Sequence, residues 1–243
     1  MNITGKHIVI TGAASGLGLE LLKQLQPENR ISAIARASTG LETLRRTFPG
    51  VQIHEADLAD LASVEAAADQ LARGGRKIDV LINNAAEQYT PHFLDEDFRY
   101  ETIRREIDIN FTSVCSLIYL LLPSLLQSGP SLIVNINSGL GLVPKTSSAV
   151  YCATKGALNI FSQALAHQLE DTNIRVKQVF LPLVDTAMTR GRGKAKLPPE
   201  KAAAAIIRGM QSSRPNIDIG KTRLLRLIQR LSPRLAQTIM KEA

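Results

Sequence analysis

The 243-residue chain reads as a three-layer α/β protein: a doubly wound parallel sheet in a single domain, with a basic helical extension at the C-terminus. Two observations carry this reading. Short apolar runs alternate with segments of helical spacing between residues 7 and 181, and that alternation builds a parallel sheet covered on both faces. The polar residues that interrupt the pattern recur where the apolar runs end, which is where such sheets bind ligands.

Residues 7–11 form the first strand and 19–25 the body of the first helix. Between them runs Thr11-Gly12-Ala13-Ala14-Ser15-Gly16-Leu17-Gly18. Glycine lets a backbone approach a phosphate closely, and the amides that open a helix attract anions. A glycine turn placed between strand and helix therefore predicts dinucleotide binding by Gly12, Ser15, Gly16, Leu17 and Gly18. The second strand, 31–36, ends in Arg36, with Ser38 and Thr39 beyond. An acidic residue there would hold ribose hydroxyls and repel a 2′-phosphate, whereas a guanidinium pairs with phosphate. Arg36 thus points to NADP(H) over NAD(H).

Residues 41–48 read as a helix stopped by Pro49-Gly50, and 51–56 as a third strand ending at Asp57-Leu58. A helix over 63–71 has Asp60 or Ser63 as cap, and 78–82 is a buried strand ending in Asn83-Asn84-Ala85-Ala86. Arg36, Asp57 and Asn83 fall at successive strand ends. After a loop over 87–97, residues 98–126 read as one long helix, bent or broken around Pro123, with Asn110 inside it. A fifth strand, 132–136, leads to Asn137-Ser138-Gly139, then to a helix over 150–168. Residues 174–181 form a sixth strand and 216–220 an edge strand. Tyr151 and Lys155 lie one turn apart on one helix face. A nearby ammonium favours a phenolate, so the pair is expected to lower the Tyr151 pKa from about 10 toward neutrality, where general acid–base catalysis works best.

The net charge of +7 is uneven. Residues 1–186 carry 16 basic and 19 acidic side chains, a net −3; residues 187–243 carry 13 and 3, a net +10. Two glycines and closely spaced cations make 187–199 look flexible, and Pro198-Pro199 then precedes an alanine-rich helix over 200–210. Residues 221–231 set Leu224, Leu225, Leu227, Ile228 and Leu231 among arginines, a basic amphipathic helix. It has three competing uses: packing against the core or a second subunit, covering the substrate entrance, or contact with a membrane surface. The segment 187–243 has no aromatic residue for base stacking, which argues against nucleic acid.

These motifs in this order resemble the short-chain dehydrogenase/reductase family over residues 3–190. Residues 11–18 are similar to its cofactor turn and 83–86 to its Asn-Asn-Ala-Gly, with Ala86 in a glycine position. Asn110, Ser138, Tyr151 and Lys155 fall where its catalytic tetrad falls. The resemblance implies a Rossmann-like fold and hydride transfer between a nicotinamide and a carbonyl or alcohol, with Tyr151 as general acid/base. It implies that Lys155 lowers the Tyr151 pKa, that Ser138 holds the reacting oxygen, and that Asn110 holds a helix kink and a water. Asp57 and Leu58 would contact adenine, Asn83 and Ala85 the ribose side, and Val184 and Thr186 the carboxamide. Pro182 stands where the family has glycine, and 187–199 matches a segment that closes over substrate. The family also implies a homodimer or homotetramer built on helices 98–126 and 150–168. The extension resembles that of oxidoreductases found beside lipoteichoic-acid D-alanylation genes.

The apolar residues Leu140, Leu142 and Val143 and the turn 88–93 are expected to shape the site for a small to medium carbonyl substrate. No run approaches the ~18 apolar residues of a membrane-spanning helix, and the N-terminus has no secretory pattern. Cys115 and Cys152 give neither a disulfide framework nor metal spacing, so a cytoplasmic location and no metal are expected. The rival functions are a non-catalytic dinucleotide sensor or scaffold, which would not need the tetrad, and an epimerase or dehydratase that uses the cofactor transiently.

Overall fold

A computed structural model describes residues 1–73 and 75–241. Its strands are β1 (His7–Thr11), β2 (Arg30–Ala35), β3 (Gln52–Glu55), β4 (Val80–Asn83), β5 (Ser131–Ser138), β6 (Ile174–Leu181) and β7 (Asn216–Asp218). They form one parallel sheet in the order β3-β2-β1-β4-β5-β6-β7. The chain winds outward from β1 to β3, then returns to pair β4 on the other side of β1. That reversal opens a crevice beyond the carboxyl ends of β1 and β4. The expected doubly wound, Rossmann-like architecture is therefore present.

The helices are α1 (Gly16–Leu25), α2 (Thr39–Thr47), α3 (Leu61–Ala72), α4 (Glu101–Ile107), α5 (Ser113–Leu125), α6 (Ala149–Gln168), α7 (Pro199–Gln211), α8 (Thr222–Leu231) and α9 (Pro233–Lys241). Strand residues alternate between two cores. Ile8 and Ile10 pack with Leu21 and Leu22 of α1 and Ile206 of α7. Val9, between them, joins Leu117 of α5 and Leu158 of α6 on the opposite face. Side-chain oxygens of Ser38 and Asp60 accept backbone amides of Leu41 and Ala62, which fixes where α2 and α3 begin.

The long helix expected over 98–126 is interrupted elsewhere than at Pro123. It bends through a π-turn, Asp108–Thr112, that separates α4 from α5. Pro123 sits inside the last turn of α5, where the fully buried Leu121 and Leu125 keep the helix seated. By length and composition the stretch Glu101–Leu125 could cross a membrane, but here α5 packs on α3 and the sheet.

The segment 187–199, expected to resist packing, folds into a closed loop. Its ends are joined by hydrogen bonds from the Asp185 amide to the Leu197 carbonyl and from the Leu197 amide to the Leu183 carbonyl, each 2.9 Å. Lys196 Nζ donates across it to the Thr189 carbonyl at 2.6 Å. Within the extension, Arg226 makes a paired hydrogen bond to Asp218 at 2.7 and 2.9 Å and stacks on Phe180, 4.3 Å from the ring centroid. Leu225 and Ala236 then pack on Val143, while Leu224, Leu227 and Leu231 stay exposed. The extension thus packs on the core and walls the cavity described below.

A buried polar chain ties α6 to the sheet. Asn83 Nδ2 donates to Asn135 Oδ1, and Asn135 Nδ2 donates to Ser162 Oγ, both at 2.8 Å. Replacing Asn135 by Ala leaves the buried Asn83 Nδ2 without its acceptor and removes the donor to Ser162 Oγ, which keeps its own bond to the Leu158 carbonyl. It is expected to cost about 2–3 kcal/mol in urea unfolding; a change under about 0.5 kcal/mol would show that the chain is not stabilising.

Candidate active site

The turns that follow β1, β2, β4, β5 and β6 enclose a cavity of about 1450 Å³. At its centre β1 turns into α1. Gly12 and Gly16 hold φ of +67° and +52°, and a Cβ on Gly18 would stand 2.2 Å from the Gly12 carbonyl oxygen. Only this glycine spacing lets the turn fold so tightly. Ser15 precedes α1 in an extended conformation without capping it through its side chain, and Ser15, Gly16 and Leu17 face the cavity. Uncapped amides at a helix start beside a glycine cradle fit a dinucleotide's pyrophosphate. Asn84 pins the turn: its amide and that of Ala85 donate to Thr11 Oγ1, and its Nδ2 donates to the Thr11 carbonyl, all at 2.9 Å.

At the β2 end Arg36 stands at the rim, 63% exposed, with Nη1 2.8 Å from Glu87 Oε1. Arg105 of α4 bridges Glu87 at 3.0 Å and Asp57 at 3.2 Å. Burial opposes ionisation of both carboxyls. The Ala59 amide on Asp57, and Arg105 on both, nevertheless hold them below the usual carboxylate range. Glu87 and Arg105 carried no sequence signal, because neither belongs to a motif and only folding brings them to Asp57. Asp57, Leu58, Ala85, Val184 and Thr186 line the cavity as expected. Asn83 does not: its side chain turns into the sheet toward Asn135, and Asn84 takes the wall position. The methyl of Ala86 is tolerated, since its φ is not positive.

At the β5 end, Ser138, Tyr151 and Lys155 share the wall. Tyr151 and Lys155 are buried, and Lys155 Nζ donates to the Ile136 carbonyl at 2.9 Å, lying 5.6 Å from the Tyr151 ring centroid. Burial brings Lys155 down to about 8. The expected lowering of the Tyr151 pKa is not what the site shows. Burial pushes the phenol above its ordinary value, and a hydrogen bond from Ser138 and the charge of Arg192 pull the other way.

Asn110 lies behind the wall, fully buried in the π-turn. Its Nδ2 donates to the Glu87 carbonyl at 2.9 Å and to Thr154 Oγ1 at 3.2 Å, and its Oδ1 accepts the Glu87 amide at 2.9 Å. It is a positioning residue that touches no cavity atom. Of the expected substrate-side residues, Leu140, Gln88 and Thr90 reach the cavity, while Leu142 packs with Val143. Val143 is fully buried against Leu225, and Phe93 stacks on Phe98 away from it. Leu183, Leu225, Ile228 and Met240 supply apolar wall instead. Ser148, at φ +63°, starts α6 and accepts Gln88 Nε2 at 3.0 Å.

A parallel sheet with a glycine cradle, and a Ser–Tyr–Lys group across the same cavity, defines a nucleotide-binding oxidoreductase. The short chain dehydrogenase family model matches residues 6–197, and the chain belongs to that family. It is 33% identical over 191 residues to an uncharacterized oxidoreductase, DltE, of Bacillus subtilis, covering 78% of this chain and 76% of that one. It is 31% identical over 210 residues to L-xylulose reductase of Bos taurus, covering 86% and 82%. A short chain dehydrogenase of Burkholderia cenocepacia, solved in complex with NADP, superimposes with a TM-score of 0.88 over 99% of both chains at 24% identity.

Glu106, behind Tyr151, accepts the Tyr89 amide at 3.2 Å. Burial, reinforced by the charge of Glu87, raises it to about 7 against the pull of that amide. A folded pKa above the unfolded value of 4.5 gives stability that is complete below 4.5 and lost as pH rises through 7. Glu106→Gln keeps the accepting oxygen and removes the charge. Its Tm is expected to exceed that of the wild type at pH 8 and to match it at pH 4.5; an offset independent of pH would refute the assignment.

Proposed function

We propose that the protein is an NADP(H)-dependent reductase of small to medium carbonyl compounds, with Tyr151 as general acid/base. The observation that carries this reading is the convergence of Ser138, Tyr151 and Lys155 with the 12–18 glycine turn on one cavity. Gly12, Ser15, Gly16, Leu17 and Gly18 hold the pyrophosphate, and Arg36 with Ser38 reads the 2′-phosphate. Asp57 and Leu58 flank adenine, Asn84 and Ala85 the ribose side, and Val184 and Thr186 the carboxamide. NADPH, when bound, supplies the hydride.

Every other step belongs to the chain. Ser138 Oγ holds the substrate oxygen in place. Tyr151, its pKa raised by burial, stands protonated at neutral pH and donates that proton to the oxygen as charge develops on it. Lys155 keeps positive charge beside the phenolate that results and holds the nicotinamide ribose. The apolar wall of Leu183, Leu225 and Ile228 excludes water, and the loop 187–199 serves as the lid. Exposed Tyr119 on α5 and Ile160 on α6 support a homodimer or homotetramer built through those helices. Two unpaired cysteines support a cytoplasmic location.

Oxidation of NADPH across a panel of aldehydes and ketones tests the reading. Tyr151→Phe is expected to lower kcat by about 10²–10⁴; undiminished turnover would remove Tyr151 from the mechanism. Arg36→Ala is expected to weaken NADPH binding about tenfold or more and NADH binding far less, as read by cofactor fluorescence. If the variant keeps the wild-type preference for NADPH, Arg36 does not read the phosphate.

A further inference from the structure

The basic surplus of the C-terminal segment enters the catalytic cavity. Arg192, Lys194 and Lys221 line it, and Lys145 joins them from the loop after β5. The carboxylates in the same wall, Asp57 and Glu87, lie at the opposite end and are already paired with Arg105. Among the described residues, the Tyr151 end of the wall therefore carries cations without counter-charge.

Arg192 is the clearest case. The closed loop 187–199 brings its guanidinium near enough to Tyr151 to favour the phenolate. Its Nη1 is buried and has no hydrogen-bond partner among the described residues. Lys145 is close enough to feel its charge; burial and that repulsion both lower the Lys145 pKa, and burial lowers that of Arg192. Neither side chain enters an ion pair with a carboxylate among the described residues. The one buried acid near Tyr151, Glu106, spends an oxygen on the Tyr89 amide and is itself disfavoured as an anion. Both side chains are half-buried; leaving the buried Arg192 Nη1 without a partner is costly, and repulsion between the two cations adds to that cost. An oxoanion offsets that cost, since a guanidinium fork takes a carboxylate or phosphate through paired hydrogen bonds.

We propose that Arg192, assisted by Lys145, binds a carboxylate or phosphate group carried by the substrate, so that the enzyme reduces anionic carbonyl compounds. The proposal rests on the reductase reading above. The cofactor's phosphates have their own places at the glycine turn and at Arg36, which leaves Arg192 for the substrate. The apolar wall opposite takes the body of the molecule, with the carbonyl at Ser138 and Tyr151 and the anion at the loop.

Two measurements test this. In the first, kcat/KM is compared for 4-carboxybenzaldehyde against its methyl ester, and for glyceraldehyde 3-phosphate against glyceraldehyde. The wild type is expected to prefer the anion of at least one pair about tenfold or more, chiefly through KM. That preference falls toward unity in Arg192→Met and is largely kept in Arg192→Lys; the pair with the larger preference tells carboxylate from phosphate. In the second, calorimetry on NADP⁺-saturated protein follows benzoate, phenyl phosphate and benzamide, with the anions expected to bind more tightly and to lose that advantage in Arg192→Met. Lys145→Met gives the same readouts if the Arg192 variants fail to fold. Equal use of neutral and anionic partners, or equal binding of benzamide and both anions, overturns the anion site. An equal loss for both members of a pair in Arg192→Met overturns it as well. If the anions bind through Arg192 but no aldehyde is reduced, the reductase reading fails and the anion site stands.

Discussion

One buried amide holds the two ends of the site in register. Asn110 satisfies both the amide and the carbonyl of Glu87 and donates a further bond to Thr154 on α6. Glu87 in turn anchors Arg36 and Arg105, while Thr154 sits between Tyr151 and Lys155. The charged cluster at the β2 end and helix α6 thus share one fully buried hydrogen-bonding residue. Asn110 lies within the π-turn, the kind of helix irregularity often found at functional sites.

Electrostatics divides the cavity. At the β2 end, positive and negative side chains pair closely: Arg36 and Arg105 against Asp57 and Glu87. At the Tyr151 end, burial works on isolated groups. It lowers Lys155 and Lys145 and raises Tyr151, and Arg192 Nη1 has no hydrogen-bond partner among the described residues. A phenol so raised stays protonated at neutral pH, which suits a proton donor, and the surrounding cations offset the charge that donation leaves. The segment after β6 contributes Arg192, Lys221, Leu225 and Met240 to the wall at this end.

Most of the sheet and the glycine turn were legible because they rest on local rules. Period-two burial marks strands, and a tight turn before a helix needs glycine whatever surrounds it. Ser138, Tyr151 and Lys155 were legible through their order and spacing. The misreadings are informative. Pro123 is a strong local signal for a bend, but Leu121 and Leu125 are held in the core and the bend falls at Asn110. Asn83 and Asn84 are adjacent and alike in sequence; strand alternation sends the first into the sheet and leaves the second at the wall. Tyr151 was expected to be lowered by Lys155, yet burial of the phenol outweighs any such pull and raises it.

The sequence by itself determined the class of fold and pointed to the glycine turn and to Ser138, Tyr151 and Lys155, since each of these signals depends on near neighbours in the chain. The tertiary structure decided which charges meet. Glu87 reaches Arg105 and Arg36, Arg226 reaches Asp218 and Phe180, and Arg192 shares a cavity wall with Tyr151 only because strand order and the closed loop bring distant segments together. Coulomb and desolvation energies depend on separation and burial, and neither quantity is written in a residue's position along the chain.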